Sequence, residues 1–342
     1  MINKVSATEF IQLAGKFKVI DVRSPVEFSG GHISGAANIP LFTDDERSEV
    51  GSLYHKKGRD AAVLKGLDIA LPKVFTYIKD LKSLGPARSV CIHCWRGGMR
   101  SELMAEVFSR ERYSVFILNG GYKAYRSYIR ESFSKQARIV VLGGLTGSGK
   151  TDILRSLAGM GEQVIDLERL ASHKGSAFGA LGQSAQPANE QFENDLFLTW
   201  NRLDFNKLIW MEDESRRIGR IELPSPFFGQ ISKGILIRAE VAKSRRIERL
   251  VREYSGFPKQ LLAESLLKIR DGLGGTRYRE SLNALEEDDF GKVASLALEY
   301  YDKAYEYSIR KRLNNNILTV RLRGSDPVRH AWTILRFIKK NL

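Results

Sequence analysis

The chain has 342 residues, 43% of them hydrophobic, which predicts two domains with packed cores. Its 54 Lys and Arg against 40 Asp and Glu leave a net charge of +14, pointing to a polyanionic partner, nucleic acid above all, or an anionic substrate. Two cysteines, Cys91 and Cys94, exclude a disulfide scaffold and a four-cysteine zinc site and fit a reducing cytoplasm; no apolar run reaches a membrane span, and the N-terminal residues lack a signal-peptide core.

In chain order, Phe17–Arg23 reads as a buried strand, followed by a short helix with Pro25 near its start. Gly30–Pro40 is a turn into a second short strand, and residues 41–67 are polar and irregular with some helix. Apolar residues at Leu67, Leu71, Val74, Phe75, Ile78 and Leu81 predict a helix over Leu67–Leu84. The strand Ser89–Ile92 runs into the loop His93–Ser101 and a helix beginning near Glu102. Ser114–Leu118 is another strand, and Tyr122–Ser134 a helix. Ala137–Gly143, Lys207–Met211, Gly234–Ala239 and Ile317–Leu322 are strands of the second half, closed by a helix over 326–341. Strands alternating with helices predict an α/β fold with mostly parallel sheets and sites at strand C-terminal ends.

The loop after Ile92 places Cys94 where a strand hands over to a helix. Unpaired N–H groups at the helix start, with Arg96 and Arg100, favour a thiolate there. Gly97 and Gly98 let the backbone curl around an anion. Cys91-x-x-Cys94 imitates a redox dithiol, but Cys91 lies inside the strand and reads as a core residue. His93-Cys94, five residues, then Arg100 also matches the HCx5R pattern of cysteine-dependent phosphatases, so the spacing leaves phosphate-ester hydrolysis open.

Gly144-Leu145-Thr146-Gly147-Ser148-Gly149-Lys150-Thr151 is a complete GxxxxGK[ST] loop between strand and helix. Its N–H groups suit a diphosphate, Lys150 adds charge, and Thr151 suits Mg²⁺, with a carboxylate such as Asp213 at the end of the Lys207–Met211 strand as second ligand. No metal is assigned with certainty and no cofactor is expected to be tightly bound. Lys243, Arg245, Arg246, Arg249, Arg252, Arg277, Arg279, Arg310, Lys311, Arg312, Arg321 and Arg323 alternate with Tyr278, Tyr300, Tyr301, Tyr305 and Tyr307, a composition suited to RNA.

Asp21-Val22-Arg23, Glu27-Phe28, Gly31-His32-Ile33, Gly35-Ala36, Asn38-Ile39-Pro40 and the later cysteine loop together resemble the rhodanese homology domain over residues 1–133. With Arg96-Gly97-Gly98, Gly120-Gly121-Tyr122, Asp166-Leu167-Glu168, Gly175-Ser176-Ala177-Phe178-Gly179, Phe192-Glu193-Asn194 and Glu212-Asp213-Glu214-Ser215-Arg216, nearly the whole chain resembles the bacterial tRNA 2-selenouridine synthases. The resemblance implies a rhodanese-like domain over 1–135 and a P-loop NTPase-like domain over 136–342 with a basic helical region. It implies a transferase acting on the anticodon region of 2-thiouridine-containing tRNAs. Such an enzyme geranylates the wobble 2-thiouridine from geranyl diphosphate, then replaces the sulfur with selenium from selenophosphate, with a selenophosphate-producing enzyme as donor source. Cys94 would be catalytic and receive selenium, with Arg96, Gly97, Gly98 and Arg100 holding the donor. Gly144, Thr146, Gly147, Ser148, Gly149, Lys150 and Thr151 would bind diphosphate, and Gly66, His173, Arg216 and Arg277 are further candidate substrate contacts. Two other readings stay open on the residues: a P-loop enzyme of kinase or phosphatase type using the HCx5R loop, and a nucleotide-gated RNA-binding regulator. Neither requires a membrane.

Overall fold

The computed structural model describes residues 1–310 and 317–341, which form two α/β units. The first comprises Met1–Phe133 with Glu190–Leu198, the second Ser134–Asn189 with Thr199–Leu342. Lys311 and Arg312 of the basic series lie outside the described residues.

In the first unit the order is β1 (Ile2–Val5), α1 (Ala7–Ala14), β2 (Lys18–Asp21), α2 (Pro25–Ser29), β3 (Ala37–Asn38), α3 (Asp44–Lys57), α4 (Arg59–Ala70), α5 (Val74–Ser83), β4 (Ser89–His93), α6 (Met99–Arg110), β5 (Ser114–Leu118) and α7 (Gly121–Ser132). The strands pair in parallel in the order β1-β5-β4-β2-β3. β4, which delivers the cysteine loop, is therefore central. Ile20, Val22, Ile92, Val115 and Phe108 are buried around it, each worth about 1.5–3 kcal/mol relative to exposure.

Residues 41–67 are more regular than their composition suggests. Thr43 and Glu46 close a capping box that starts α3, and Gly58, at φ 87°, separates α3 from α4. The helix expected over Leu67–Leu84 is divided at Pro72. There α4 has ended, and a short 3₁₀ turn over Leu71–Lys73 precedes α5.

The second half runs β6 (Arg138–Gly144), α8 (Lys150–Gly159), β7 (Gln163–Ile165), α9 (Leu167–Ala171), α10 (Asn189–Trp200), β8 (Leu208–Glu212), β9 (Arg217–Ile218), β10 (Ile221–Glu222), α11 (Ser225–Lys233), β11 (Ile235–Glu240), α12 (Lys243–Tyr254), α13 (Lys259–Leu267), α14 (Arg270–Leu273), α15 (Gly275–Glu286), α16 (Phe290–Arg310), β12 (Ile317–Arg321) and α17 (Pro327–Asn341). Its parallel sheet has the order β12-β11-β6-β8-β7, so the P-loop leaves a central strand. Val140, Leu142, Trp210, Ile237 and Ile334 build one core; Leu262, Leu266, Leu285 and Val293 build another among the added helices. Among the described residues no helix is long and apolar enough to cross a membrane.

Candidate functional site

The cysteine loop is fixed by its backbone. The Tyr122 N–H donates to the Cys94 carbonyl (2.8 Å), and the Lys123 N–H to that of Trp95 (3.0 Å). Gly97 (φ 66°) and Gly121 (φ 62°) lie backbone to backbone: a Cβ on Gly97 would come within 2.4 Å of the Leu118 carbonyl oxygen, and one on Gly121 within 2.3 Å of the Gly97 nitrogen. Cys94 Sγ lies 3.4 Å from Ser101 Oγ, whose one proton can turn to the sulfur or to the Gly98 carbonyl oxygen at 2.9 Å. Burial opposes the thiolate, but the Ser101 hydroxyl, the Arg100 charge and the N–H groups of Arg96 and Ser101 outweigh it and hold the thiol below its usual range. Arg100 is aimed by Glu27, which accepts from its two terminal nitrogens at 2.7 and 3.3 Å. Arg96 is exposed.

Beneath the loop, Arg23 bonds Asp21 (3.0 and 2.6 Å), donates to the Gly31 carbonyl (2.7 Å), and stacks on Tyr122 with its guanidinium carbon 3.9 Å from the ring centroid. His93 is fully buried, and burial lowers its pKa, so it is neutral. Asn194 on α10 donates to the Tyr122 hydroxyl and the His32 carbonyl, both at 2.7 Å, and accepts from Arg126 (2.6 Å). This second layer carries no periodic signature; the short stretches that resemble the family were its one trace in the sequence.

Cys91 is fully buried in β4, and burial pushes its thiol up to about 12. The two cysteines should therefore react differently. Carboxamidomethylation of Cys94 by iodoacetamide is expected to reach its plateau below the pH near 8.5 typical of a free thiol, and to fall only as pH drops through the lowered pKa; Cys91 stays unlabelled. Peptide mapping across pH checks this. A Cys94 rate rising like that of an ordinary thiol, or equal labelling of Cys91, would contradict the assignment.

In the second unit Gly149, at φ 80° and ψ 30°, turns the P-loop into α8. Lys150 Nζ donates to the Gly144 carbonyl (3.3 Å). Arg246, buried in a two-point pair with Asp302 (2.8 Å each), donates to the Thr146 carbonyl (3.2 Å) and pins the loop. The Arg249 guanidinium lies so close to Gly149 that a Cβ would fall 2.7 Å from its central carbon. The loop borders a cleft of about 1350 Å³ whose wall includes Phe228, Ile231, Leu250, Tyr301, Tyr305 and Ile309. Ser148, within the loop, is buried and does not line the cleft.

The carboxylates at Thr151 are Glu212 and Glu168, which accept from its hydroxyl at 2.7 and 3.0 Å. Asp213 instead accepts from the Tyr305 hydroxyl (3.3 Å). Side chains alternate along a strand, so consecutive residues at the end of β8 face different neighbours. Burial and then the Glu168 charge raise Glu212 well above the usual carboxylate range and Glu214 to about 8. Glu212 Oε2 is buried without a hydrogen-bond partner. The Thr151 hydroxyl and this carboxylate are hard oxygen donors that fit Mg²⁺ completed by phosphate and water. Among the described residues no cage of three His, Cys, Asp or Glu side chains is formed.

Gly66 lies in the wall of an apolar cleft of about 440 Å³ in the first unit, lined also by Phe42, Val50, Leu67, Met99 and Leu103. His173 accepts from the Gly175 N–H (3.2 Å), Arg216 pairs with Glu222 (2.8 Å) and Arg277 with Glu299 (2.9 Å); none of the three lines the P-loop cleft. Part of the basic series is paired internally: besides Arg246 and Arg249, Arg245 holds Glu248 (2.8 Å) and Arg321 holds Glu240 (3.2 Å). A further basic face lies on α17. Its exposed stripe is Arg329, Trp332, Arg336, Lys339 and Lys340; Trp332 is 53% exposed, while Ala331, Ile334 and Ile338 face the core. Composition did not single out this stripe, although its helical spacing is readable.

Comparison with known proteins gives the context for these two sites. Residues 6–128 match the rhodanese-like domain family, and residues 137–325 match the tRNA 2-selenouridine synthase AAA domain family. A tRNA 2-selenouridine synthase of Shewanella frigidimarina is 33% identical over 92% of this chain and 93% of its own length. The chain belongs to the tRNA 2-selenouridine synthase family. A member from Hahella chejuensis is 35% identical over 86% of both chains, and one from Shewanella oneidensis 32% identical over 94% of this chain and 93% of its own. The matched ranges contain both the Cys94 loop and the P-loop with Glu168 and Glu212.

Proposed function

We propose that the chain is a tRNA-modifying transferase that makes 2-selenouridine at the wobble position in two steps. The observation that carries this reading is the pairing, in one chain of this family, of a thiolate loop with a P-loop cleft that has an apolar wall. In the first step the P-loop N–H groups and Lys150 hold the diphosphate of geranyl diphosphate, and Phe228, Ile231, Leu250 and Ile309 face its chain. The thiocarbonyl sulfur of 2-thiouridine attacks C1 of the geranyl group, and diphosphate leaves. Thr151 and Glu212 would hold Mg²⁺, which would neutralise diphosphate charge when bound.

S-alkylation turns the sulfur at C2 into a leaving group. In the second step the Cys94 loop takes selenophosphate, with Arg96, Arg100 and the N–H groups of Gly97 and Gly98 facing its phosphate. The apolar lining of the cleft around Gly66 suits the geranyl chain, and a side chain at Gly66 would crowd it, since a Cβ there would already meet Phe42 Cζ at 3.3 Å. Incubation with 2-thiouridine tRNA, geranyl diphosphate and selenophosphate tests the reading. Nucleoside mass spectrometry should find S-geranyl-2-thiouridine first and 2-selenouridine afterwards; an unchanged nucleoside mass refutes it.

The α17 stripe supports tRNA as partner. Arg329 to Lys340 spans about 16 Å of helix, room for several phosphates, and Trp332 offers a ring for base stacking. Reversing Arg329, Arg336 and Lys339 to Glu is expected to weaken tRNA binding more than tenfold. The slope of log affinity against log salt should become shallower by about 2, because each phosphate contact contributes roughly 0.7–0.9. Fluorescence anisotropy titrations across a KCl series check both; an unchanged slope would place the tRNA elsewhere.

A further inference from the structure

Electron accounting constrains what Cys94 can carry. Selenium in selenophosphate is already at the selenide level, the level needed in 2-selenouridine. Moving it onto Cys94 as a perselenide would take two electrons from selenium and leave them on phosphorus as phosphite. Delivery to C2 would then leave a sulfur–selenium bond that needs a thiol to reduce it. The chain has two cysteines, and the second supplies no such thiol: Cys91 is fully buried in β4, hydrogen-bonded between β2 and β5.

The loop is built for a different transfer. Between Cys94 and Arg100 lie five residues whose backbone curls through Gly97 at φ 66°, and the N–H groups of Arg96 and Ser101 are directed at the Cys94 sulfur. Arg100 is aimed by Glu27, and Arg96 has no ion-pair partner among the described residues. Ser101 sets a hydroxyl 3.4 Å from Sγ, where it can stabilise the sulfur both as nucleophile and as leaving thiolate. Glu27, the carboxylate that Arg100 and Arg47 hold, stays ionised and is a poor proton donor for a departing alkoxide. Hydrogen selenide is a stronger acid than an alcohol or a thiol, so selenide departs without such a donor.

We infer that Cys94 accepts the phosphoryl group of selenophosphate and not its selenium, an inference that rests on the selenophosphate step proposed above. The Cys94 thiolate pair forms an S–P bond while the P–Se bond breaks, its electrons leaving on selenium as selenide. Selenide attacks C2 of the S-geranyl uridine, and geranylthiolate leaves and takes up a proton from water. Water then attacks phosphorus, releasing phosphate and restoring the thiolate. No oxidant or reductant is consumed, and the HCx5R spacing has its use as a phosphoryl-transfer loop.

The test uses the full-length protein with geranylated tRNA and selenophosphate carrying radiophosphorus or radioselenium. Denaturing quench and peptide mapping should find radiophosphorus on the Cys94 peptide, roughly tenfold more in Ser101→Ala, whose S–P bond hydrolyses more slowly without the hydroxyl. None should appear in Cys94→Ser, radioselenium should not remain on the wild-type protein, and the phosphorus released should be phosphate, not phosphite. Radioselenium held at Cys94, or no radiophosphorus on either wild type or Ser101→Ala while the tRNA is selenated, overturns the inference and leaves the two-step reading standing. Failure of the wild type to selenate geranylated tRNA counts instead against the two-step reading itself.

Discussion

Cys94→Ala is expected to lower 2-selenouridine formation by on the order of a thousandfold or more while S-geranylation continues at the wild-type rate. The size follows from removing the nucleophile itself, the atom on which the Ser101 hydroxyl, the Arg100 charge and two N–H groups converge. The loop should survive the change. Its shape is set by the Tyr122 N–H on the Cys94 carbonyl and by the Gly97–Gly121 contact, neither of which involves the Cys94 side chain. Serine at this position should not restore activity, because a hydroxyl lacks the depressed pKa and the nucleophilicity of the thiol. Accumulation of S-geranyl-2-thiouridine tRNA, read by nucleoside mass spectrometry, is the signature; loss of geranylation together with selenation would reject the division of labour.

Lys150→Ala is expected to lower prenyl transfer by about 10²–10³-fold, the scale on which one preorganised group facing developing negative charge contributes. In the structure the ammonium has the Gly144 carbonyl as its hydrogen-bond acceptor at 3.3 Å and lies in the mouth of the large cleft, so a diphosphate can readily draw it away. The P-loop backbone is pinned independently by Arg246 and Asp302, which should keep the variant folded. Single-turnover geranylation of 2-thiouridine tRNA measures the effect. An unaffected rate would reject the role given to the loop.

Both sites lie on consecutive residues after a strand, and this is why they were legible. A strand, a glycine-rich turn and a helix start are local features, so sequence alone places Cys94, Arg96, Arg100, Lys150 and Thr151 at the C-terminal ends of parallel strands. What supports them is not local. Asn194 reaches Tyr122 from 72 residues away, and Asp302 reaches Arg246 from 56 residues away. Hydrophobic periodicity says which face of a helix is buried, not which partner it meets.

Two differences have simple physical origins. The Thr151 hydroxyl donates to Glu212 and Glu168, while Asp213, the next residue along, accepts from Tyr305 and lines the same cleft as Thr151, because neighbouring side chains diverge at a strand end. The basic residues of α12 looked like an RNA surface by composition, yet Arg246 and Arg249 serve as braces for the P-loop through Asp302 and Asp152. A second basic face, which composition did not single out, lies on α17. Residues 41–67, polar and without strong apolar periodicity, become two helices through a Thr43–Glu46 capping box and the Gly58 break, both present in the sequence as T-x-x-E and an isolated glycine.

The central claim is that one chain holds two separable chemistries, prenyl transfer at Lys150 and selenium incorporation at Cys94. It is tested most directly by giving Lys150→Ala a tRNA that already carries S-geranyl-2-thiouridine, together with selenophosphate, and timing 2-selenouridine by nucleoside mass spectrometry. The account predicts selenation at the wild-type rate. Loss of selenation in parallel with geranylation would contradict it.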